Sequence, residues 1–448
     1  MNAGSTTALL TDHYELTMLE AALKSGVAHK KATFELFTRS LPNGRGYGVV
    51  AGTERVLDAV EDFQFSHDQI NYLKSLNFLS LETLDYLRHY KFTGTITGYL
   101  EGETYFAYSP IMTVQGTFGE CVLLETVMLS ILNHDSAIAA AASRMFSAAK
   151  GTRLIDMGTR RAHEYAAVDA ARAAYIAGFD ATSNLAAGFQ YGIPTTGTAS
   201  HAFTLAHDSE VEAFQAQVDA LGEGTTLLVD TYDTEEGIQN AIKVGGKNLG
   251  AIRIDSGDLL EETIKANHAL DDAGLVHTGV VLSSDLDEYS IRDLVAGMAR
   301  VRAFGVGTRL VTGSGHPTCG MVYKLVEIED ENGNMRGVAK KSSNKGSRGG
   351  RKKVLRLQDD DGLDSGEIIS TVLDYLPEGL QGFREVTAVL VQDGLRIPAE
   401  TDETPIEAAR RRHRHARLML PREHFYDLYS DLHDKPVIEP TFIEKEDA

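Results

Sequence analysis

The chain has 448 residues, 43% hydrophobic and 24% charged, which suits two or three domains with substantial cores and argues against global disorder. Its 64 acidic residues outnumber 43 basic ones, and a net charge of -21 repels nucleic acid and anionic membranes at long range. An anionic ligand would therefore need positive charge gathered locally.

Met1 to Asp12 carries no basic segment followed by an apolar core, so no signal peptide is expected. From Thr11, a possible N-cap, the spacing of Tyr14, Thr17, Met18 and Ala21 to Leu23 predicts a helix. Ala32–Phe37 alternates like a strand, Asn43 to Gly46 reads as a turn, and Lys91–Tyr99 as a second strand. Residues 1–110 are expected to form an α+β domain.

The character changes after Pro110. Gly119–Ala149 is small, apolar and helical in period, and a simple unit then recurs: short apolar strand, polar turn, amphipathic helix. Seven strands are predicted, at Arg153–Asp156, Gly178–Ala181, Pro194–Gly197, Thr225–Asp230, Gly250–Ile254, Gly279–Leu282 and Val301–Phe304. Helices are expected over Arg160–Ala177, Glu235–Val244, Leu259–Asp272 and Glu288–Gly297. Such alternation builds a parallel sheet. Nearly every strand ends in polar chemistry, which favours a barrel, whose loops all meet at one mouth, over an open sheet. Residues 111–325 are thus expected to be an irregular α/β barrel.

Residues 326–448 read as a C-terminal region. Between Arg336 and Arg356 stand nine Lys or Arg with no acid, in a glycine-rich stretch that predicts a mobile loop. Strands or helix ends fit Gly362–Asp374 and Phe383–Val391. Thr404–Arg417 opens like a capped helix, with Pro405 early, and His413 and His415 among its arginines read as solvated. No run of about 20 apolar residues spans a bilayer. Two cysteines in so long a chain, Cys121 and Cys319, fit a reducing compartment, so a cytoplasmic location is expected.

Three loops carry chemistry. Gly305-Val306-Gly307-Thr308 follows the seventh strand, where backbone amides and a hydroxyl can cradle phosphate, although a tight turn is the plain alternative. Ser283-Ser284-Asp285 adds donors beside it. Arg253 lies in an otherwise apolar strand and must face a lined cavity or an acid. Asp255 and Asp258 just beyond offer hard oxygens for Mg²⁺ or ribose hydroxyls. His201 has small neighbours that leave room for a ligand or substituent. No Cys/His spacing resembles a zinc site.

Taken in order, the segments Thr11–Met18 (TDHYELTM), Asp156–His163 (DMGTRRAH), Gly197–His201 (GTASH), Arg253–Asp258 (RIDSGD) and Gly305–Thr308 (GVGT) resemble the nicotinate phosphoribosyltransferase family. The resemblance covers most of the chain. It implies a type II phosphoribosyltransferase fold, a homodimer, and nicotinate and phosphoribosyl pyrophosphate as substrates, with ATP as co-substrate and Mg²⁺ as cofactor. It also implies that His201 is transiently phosphorylated, that Tyr14, Thr198 and Arg253 contact nicotinate, and that Thr308 contacts the phosphoribosyl group. Arg160 offers a forked donor to carboxylate or phosphate. Asp258, Ser284, Gly305 and Gly307 join the expected site. Lys345 lies in a tract resembling the family's lysine-rich loop, although Gly349-Gly350 stands where the family has Pro-Gly.

Related nicotinamide phosphoribosyltransferases place an aspartate beside the pyridine ring. Ser183 occupies the matching position here and favours the acid substrate. A Schiff-base aldolase needs a lysine at a strand end, and these loops have none. A non-catalytic phosphosugar or nucleotide sensor is the remaining alternative.

Overall fold

In the computed structural model the described residues are 6–298, 300–340, 348–372, 382–398, 403–421 and 436–444. The chain divides into two compact units: Met1–Ala137 with Thr318–Ala448, and Ile138–Pro317. The helix Glu125–Ala148 runs from the first into the second.

In the first unit, Lys31–Thr38 pairs antiparallel with Met112–Thr117 on one side and Met321–Glu329 on the other. Thr95–Tyr99 and Thr387–Gln392 extend the sheet. Two stretches that the sequence reading assigned to the barrel, 111–137 and 318–325, therefore fold with the N-terminal strands. The C-terminal region joins them as well. It supplies three sheet strands here, Met335–Gly337, Thr387–Gln392 and Leu395–Arg396, and a second sheet in the order Gly382–Arg384, Lys353–Gln358, Asp364–Ser370, Pro440–Ile443.

The basic run differs from the expected mobile loop over much of its described length. Arg336 lies in the strand Met335–Gly337, and Lys353 and Arg356 in Lys353–Gln358. Its cations are consumed by acids: Lys352 Nζ lies 2.6 Å from Glu35 Oε2, and the fully buried Arg356 bonds Glu367 at 2.7 Å and Asp364 at 3.1 Å. Arg384 meets Glu103 and Asp364, both at 2.7 Å, and closes the network. A buried guanidinium persists only with such compensation. The helix Pro405–Leu418 forms as read, but His413 is 1% exposed rather than solvated. It lies on the face that also buries Ile406, Ala409 and Ala416, which periodicity places together. Both cysteines are free and buried.

The second unit holds a parallel sheet. Numbered by the seven predicted strands, its order is second, first, seventh, sixth, fifth, fourth, formed by Ala181–Thr182, Arg153–Asp156, Ala303–Val306, Gly279–Ser284, Ala251–Ile254 and Thr226–Leu228. The third survives only as a bridge from Thr195 to Thr182, since Pro194 and Gly197 leave little to pair. Reading 3-2-1-7-6-5-4, the strands run round in one sense, with the first against the seventh. An open doubly wound sheet reverses direction at a switch point, and none occurs here. Among the described residues no pairing joins third to fourth, so the barrel has one seam. Helices Glu164–Ile176, Thr234–Gly245, Leu259–Asp272 and Glu288–Ala296 follow their strands.

Candidate active site at the barrel mouth

Alternation along the strands builds the site in layers. Successive side chains point to opposite faces, so a residue two positions beyond an inward one is also inward. Ile155, Ala251, Val281 and Ala303 form an apolar layer inside the barrel. Two residues on come Met157, Arg253, Ser283 and Gly305, and beyond them Asp255, Asp285 and Gly307. All of these upper-layer residues line one cavity of about 320 Å³, together with Arg160, Arg161, Ser284 and Thr308. This explains why an arginine interrupts an apolar strand: the same face that buries Ala251 aims Arg253 into the mouth.

Arg253 is fixed on three sides. Its Nε donates to Ser283 Oγ at 2.7 Å, Nη1 to Thr198 Oγ1 at 2.9 Å, and Nη2 to Asp255 Oδ1 at 3.2 Å. Ser283 Oγ in turn donates to Asp255 Oδ1 at 2.6 Å. Burial alone would raise the Asp255 carboxyl, but the Ser283 hydroxyl, the Arg253 guanidinium and His201 outweigh it and hold it below the ordinary value. Asp255 is thus an anion at neutral pH.

His201 begins the helix His201–Leu205, and its Nδ1 lies 3.1 Å from Thr231 Oγ1. Its Nε2 faces two carboxylates, Asp255 Oδ2 at 3.9 Å and Asp230 Oδ1 at 4.0 Å. Asp230 is anchored through its other oxygen, which accepts from the Asp255 amide at 2.9 Å and Ser256 Oγ at 2.6 Å. Its Oδ1 is buried without a hydrogen-bond partner among the described residues. Such an atom is costly to bury, and it points to a cation or proton donor in the functioning site.

The opposite wall is the turn after the first strand. Buried Asp156 accepts from Gly158 N at 2.8 Å and Thr182 Oγ1 at 2.6 Å, and burial, partly offset by these bonds, raises its pKa. Met157 N donates to Val306 O at 2.8 Å, which ties the turn to the seventh strand. A Cβ on Gly158 would fall 2.1 Å from Val311 Cγ1, so glycine permits this approach, and one on Gly305 would fall 2.5 Å from Met157 Sδ and push that side chain aside. The single turn Thr159–Arg161 then presents Arg160 and Arg161, both exposed, to the cavity.

The structure thus brings together Arg160, Arg253, Asp255, Ser284, Gly305, Gly307 and Thr308, with His201 against Asp255 and Thr198 against Arg253. Ser183 is half-buried at the end of the second strand, its amide donating to Asp156 O at 2.7 Å, and is not among the lining residues. Asp258 is exposed and caps Leu259–Asp272, accepting from Leu260 N and Glu261 N, both at 3.1 Å. Lys345 lies outside the described residues. Tyr14 belongs to the first unit, on the helix His13–Ser25, and is 47% exposed. Burial, then the charges of Glu125 and Glu15, raise its phenol. Neighbouring Glu15 accepts from Thr126 N at 2.9 Å and Oγ1 at 2.6 Å, and burial pushes its carboxyl up to about 7.

Sequence reasoning missed the parts played by Ser283, Thr231 and Asp230, and left Arg161 unassigned. Period-2 alternation from Arg253 and Val281 was the signal that could have picked Ser283 over Ser284. Among the described residues no group of three His, Cys, Asp or Glu is placed to hold a metal unaided. A divalent ion would need oxygens from a ligand too; Asp230 Oδ1 and Asp255 Oδ2 both face His201 Nε2, while Asp258 has one oxygen, Oδ1, engaged by two helix amides.

Residues 9–133 match the nicotinate phosphoribosyltransferase (NAPRTase) N-terminal domain, and residues 152–366 the nicotinate phosphoribosyltransferase (NAPRTase) family. The chain is 52% identical over 410 residues to a nicotinate phosphoribosyltransferase of Mycobacterium tuberculosis, covering 90% of this chain and 88% of the relative. It is 42% identical over 358 residues to one of Bacillus subtilis, covering 78% and 73%. Among solved structures, human nicotinic acid phosphoribosyltransferase aligns with a TM-score of 0.80 over 97% of this chain and 96% of that one, at 22% identity, which shows a shared fold.

Proposed function

Since the chain belongs to the nicotinate phosphoribosyltransferase family, we propose that its barrel mouth joins nicotinate to the phosphoribosyl group of phosphoribosyl pyrophosphate. The products are nicotinate mononucleotide, a precursor in NAD synthesis, and pyrophosphate. The observation that carries this reading is the single cavity in which Arg160, Arg253, Asp255 and the Gly305–Thr308 loop converge.

The chemistry suits the residues. Breaking the bond from ribose C1 to pyrophosphate leaves positive character on the sugar and charge on the departing group. Positioning and electrostatic stabilisation therefore supply most of the rate. The Gly305–Thr308 loop is suited to the sugar's phosphate, as loops after late barrel strands often are. Anionic Asp255 is suited to the ribose hydroxyls. Arg253, pre-set by Ser283, Thr198 and Asp255, offers an oriented cationic edge to the nicotinate carboxylate. Mg²⁺, when bound with the substrate, supplies charge neutralisation of the pyrophosphate, and Asp230 and Asp255 are the residues suited to hold it.

ATP coupling through His201 belongs to the same proposal. The γ-phosphoryl group passes to a ring nitrogen, ADP leaves, and later hydrolysis returns phosphate and free histidine. The Thr231 hydroxyl at Nδ1 orients the ring, and its charge change on phosphorylation alters affinity in the adjoining cavity. We also infer a homodimer: Phe189 and Leu185 on the short helix Leu185–Tyr191 are 96% and 76% exposed, an apolar surface suited to a second copy. No described helix is long and apolar enough to cross a membrane, and two free buried cysteines fit the cytoplasm.

Product formation, with nicotinate, donor, ATP and Mg²⁺ omitted in turn, tests the reading. Omitting nicotinate or donor should abolish it and omitting ATP should slow it. Nicotinamide turned over as fast as nicotinate would remove the acid preference. His201→Ala should lose ATP stimulation and keep slow ATP-independent transfer, and unchanged coupling would remove His201 from its role.

A further inference from the structure

The cavity contains three arginines that are not equivalent. Arg253 commits one N–H of each guanidinium nitrogen to Ser283, Thr198 and Asp255, so its charge is partly matched by the adjacent carboxylate. Arg160 and Arg161 make no ion pair among the described residues, although both line the cavity and are exposed. On a chain of net charge -21, with 64 acidic residues available, two successive arginines lining one cavity with no ion pair are a costly concentration of like charge. They are also mounted rigidly. The turn beneath them is closed by Arg161 N donating to Gly158 O at 2.8 Å, and it is anchored by the Asp156 carboxylate and the contact of Gly158 with Val311.

One guanidinium suffices for a monoanionic carboxylate. Two lining one cavity, together with a glycine-rich loop suited to a phosphate, match a ligand with more than one phosphate group. We propose that Arg161 is a second phosphate anchor of this site. It binds the diphosphate of the phosphoribosyl donor, and the leaving pyrophosphate, alongside Arg160. The inference rests on the donor reading above and adds a residue which that reading leaves without a role.

Arg161→Ala and Arg161→Lys should be compared with the unaltered full chain in two measurements. In direct titration with inorganic pyrophosphate and Mg²⁺, Arg161→Ala should bind roughly 10- to 100-fold more weakly, the range for losing a charge-assisted contact. Arg161→Lys should recover part of that loss, because it restores charge without the fork. In steady-state kinetics the KM for the donor should rise by a similar factor while the KM for nicotinate stays within about twofold. Unchanged pyrophosphate affinity in folded Arg161→Ala would overturn the proposal. So would a rise confined to the nicotinate KM, which would place Arg161 at the pyridine carboxylate. Far-UV circular dichroism separates misfolding from lost binding, and the lysine variant keeps the question open to test if alanine misfolds. Failure of the unaltered protein to form nicotinate mononucleotide would sink the functional reading while leaving the pyrophosphate titration able to judge Arg161.

Discussion

The core of the first unit and the barrel mouth of the second treat arginine in opposite ways. In the first, Arg356 is buried and met by Glu367 and Asp364, while Arg384 is held by Glu103 and Asp364. In the second, Arg160 and Arg161 line the barrel mouth and make no ion pair among the described residues. Neutralised charge builds a fold, and charge left unmatched is available to a ligand. The density of positive residues along the sequence does not separate the two cases, since the basic run from Arg336 to Arg356 supplies the buried structural pairs.

The sharpest way to break this contrast is at Arg356. Arg356→Ala leaves Glu367 buried without its arginine and Asp364 with Arg384 alone, and should destabilise the protein by about 3–5 kcal/mol in urea unfolding. A loss below about 1 kcal/mol would mean that the network is dispensable. On the ligand side, Ser183→Asp should lower kcat/KM for nicotinate by about 100-fold through like-charge repulsion, with a smaller effect on nicotinamide. An equal loss for both substrates would place Ser183 away from the pyridine ring.

A third test returns to the first unit. Burial, then the charge of Arg417, lowers His413 from its ordinary 6.5 to about 4. The unfolded chain therefore takes up this proton before the folded one does. The contribution to stability is complete above about pH 6.5 and is lost as pH falls toward 4, amounting to about 2 kcal/mol between pH 7 and pH 5. His413→Leu should flatten that part of the stability profile, and an unchanged slope would assign it to other groups. The smallest effect is expected at Arg348, whose pair with Glu444 is solvent-exposed. Arg348→Ala should change stability by less than about 0.5 kcal/mol and leave the donor KM unaltered.

Much of the barrel was legible because its strands are short apolar runs with punctuated ends, and Leu259–Asp272 formed over the residues read for it. The third strand was not, because Pro194 and Gly197 reduce it to one bridge at Thr195. The motif residues around Arg253 were visible as an arginine among apolar neighbours. Its partners were harder to see: Ser283 and Thr198 reach it from strands and loops 30 and 55 residues away in sequence. His413 misled because a basic helix reads as solvated until its neighbours are known. The fate of the Arg336–Arg356 run depended on acids such as Glu35, which lies 317 residues from Lys352.

The donor kinetics of Arg160→Ala test most directly whether unmatched charge at the barrel mouth holds the phosphoribosyl donor. A KM for the donor raised roughly 10- to 100-fold, with melting behaviour unchanged, is the expected result. A normal donor KM in the folded variant would contradict the assignment of this cavity.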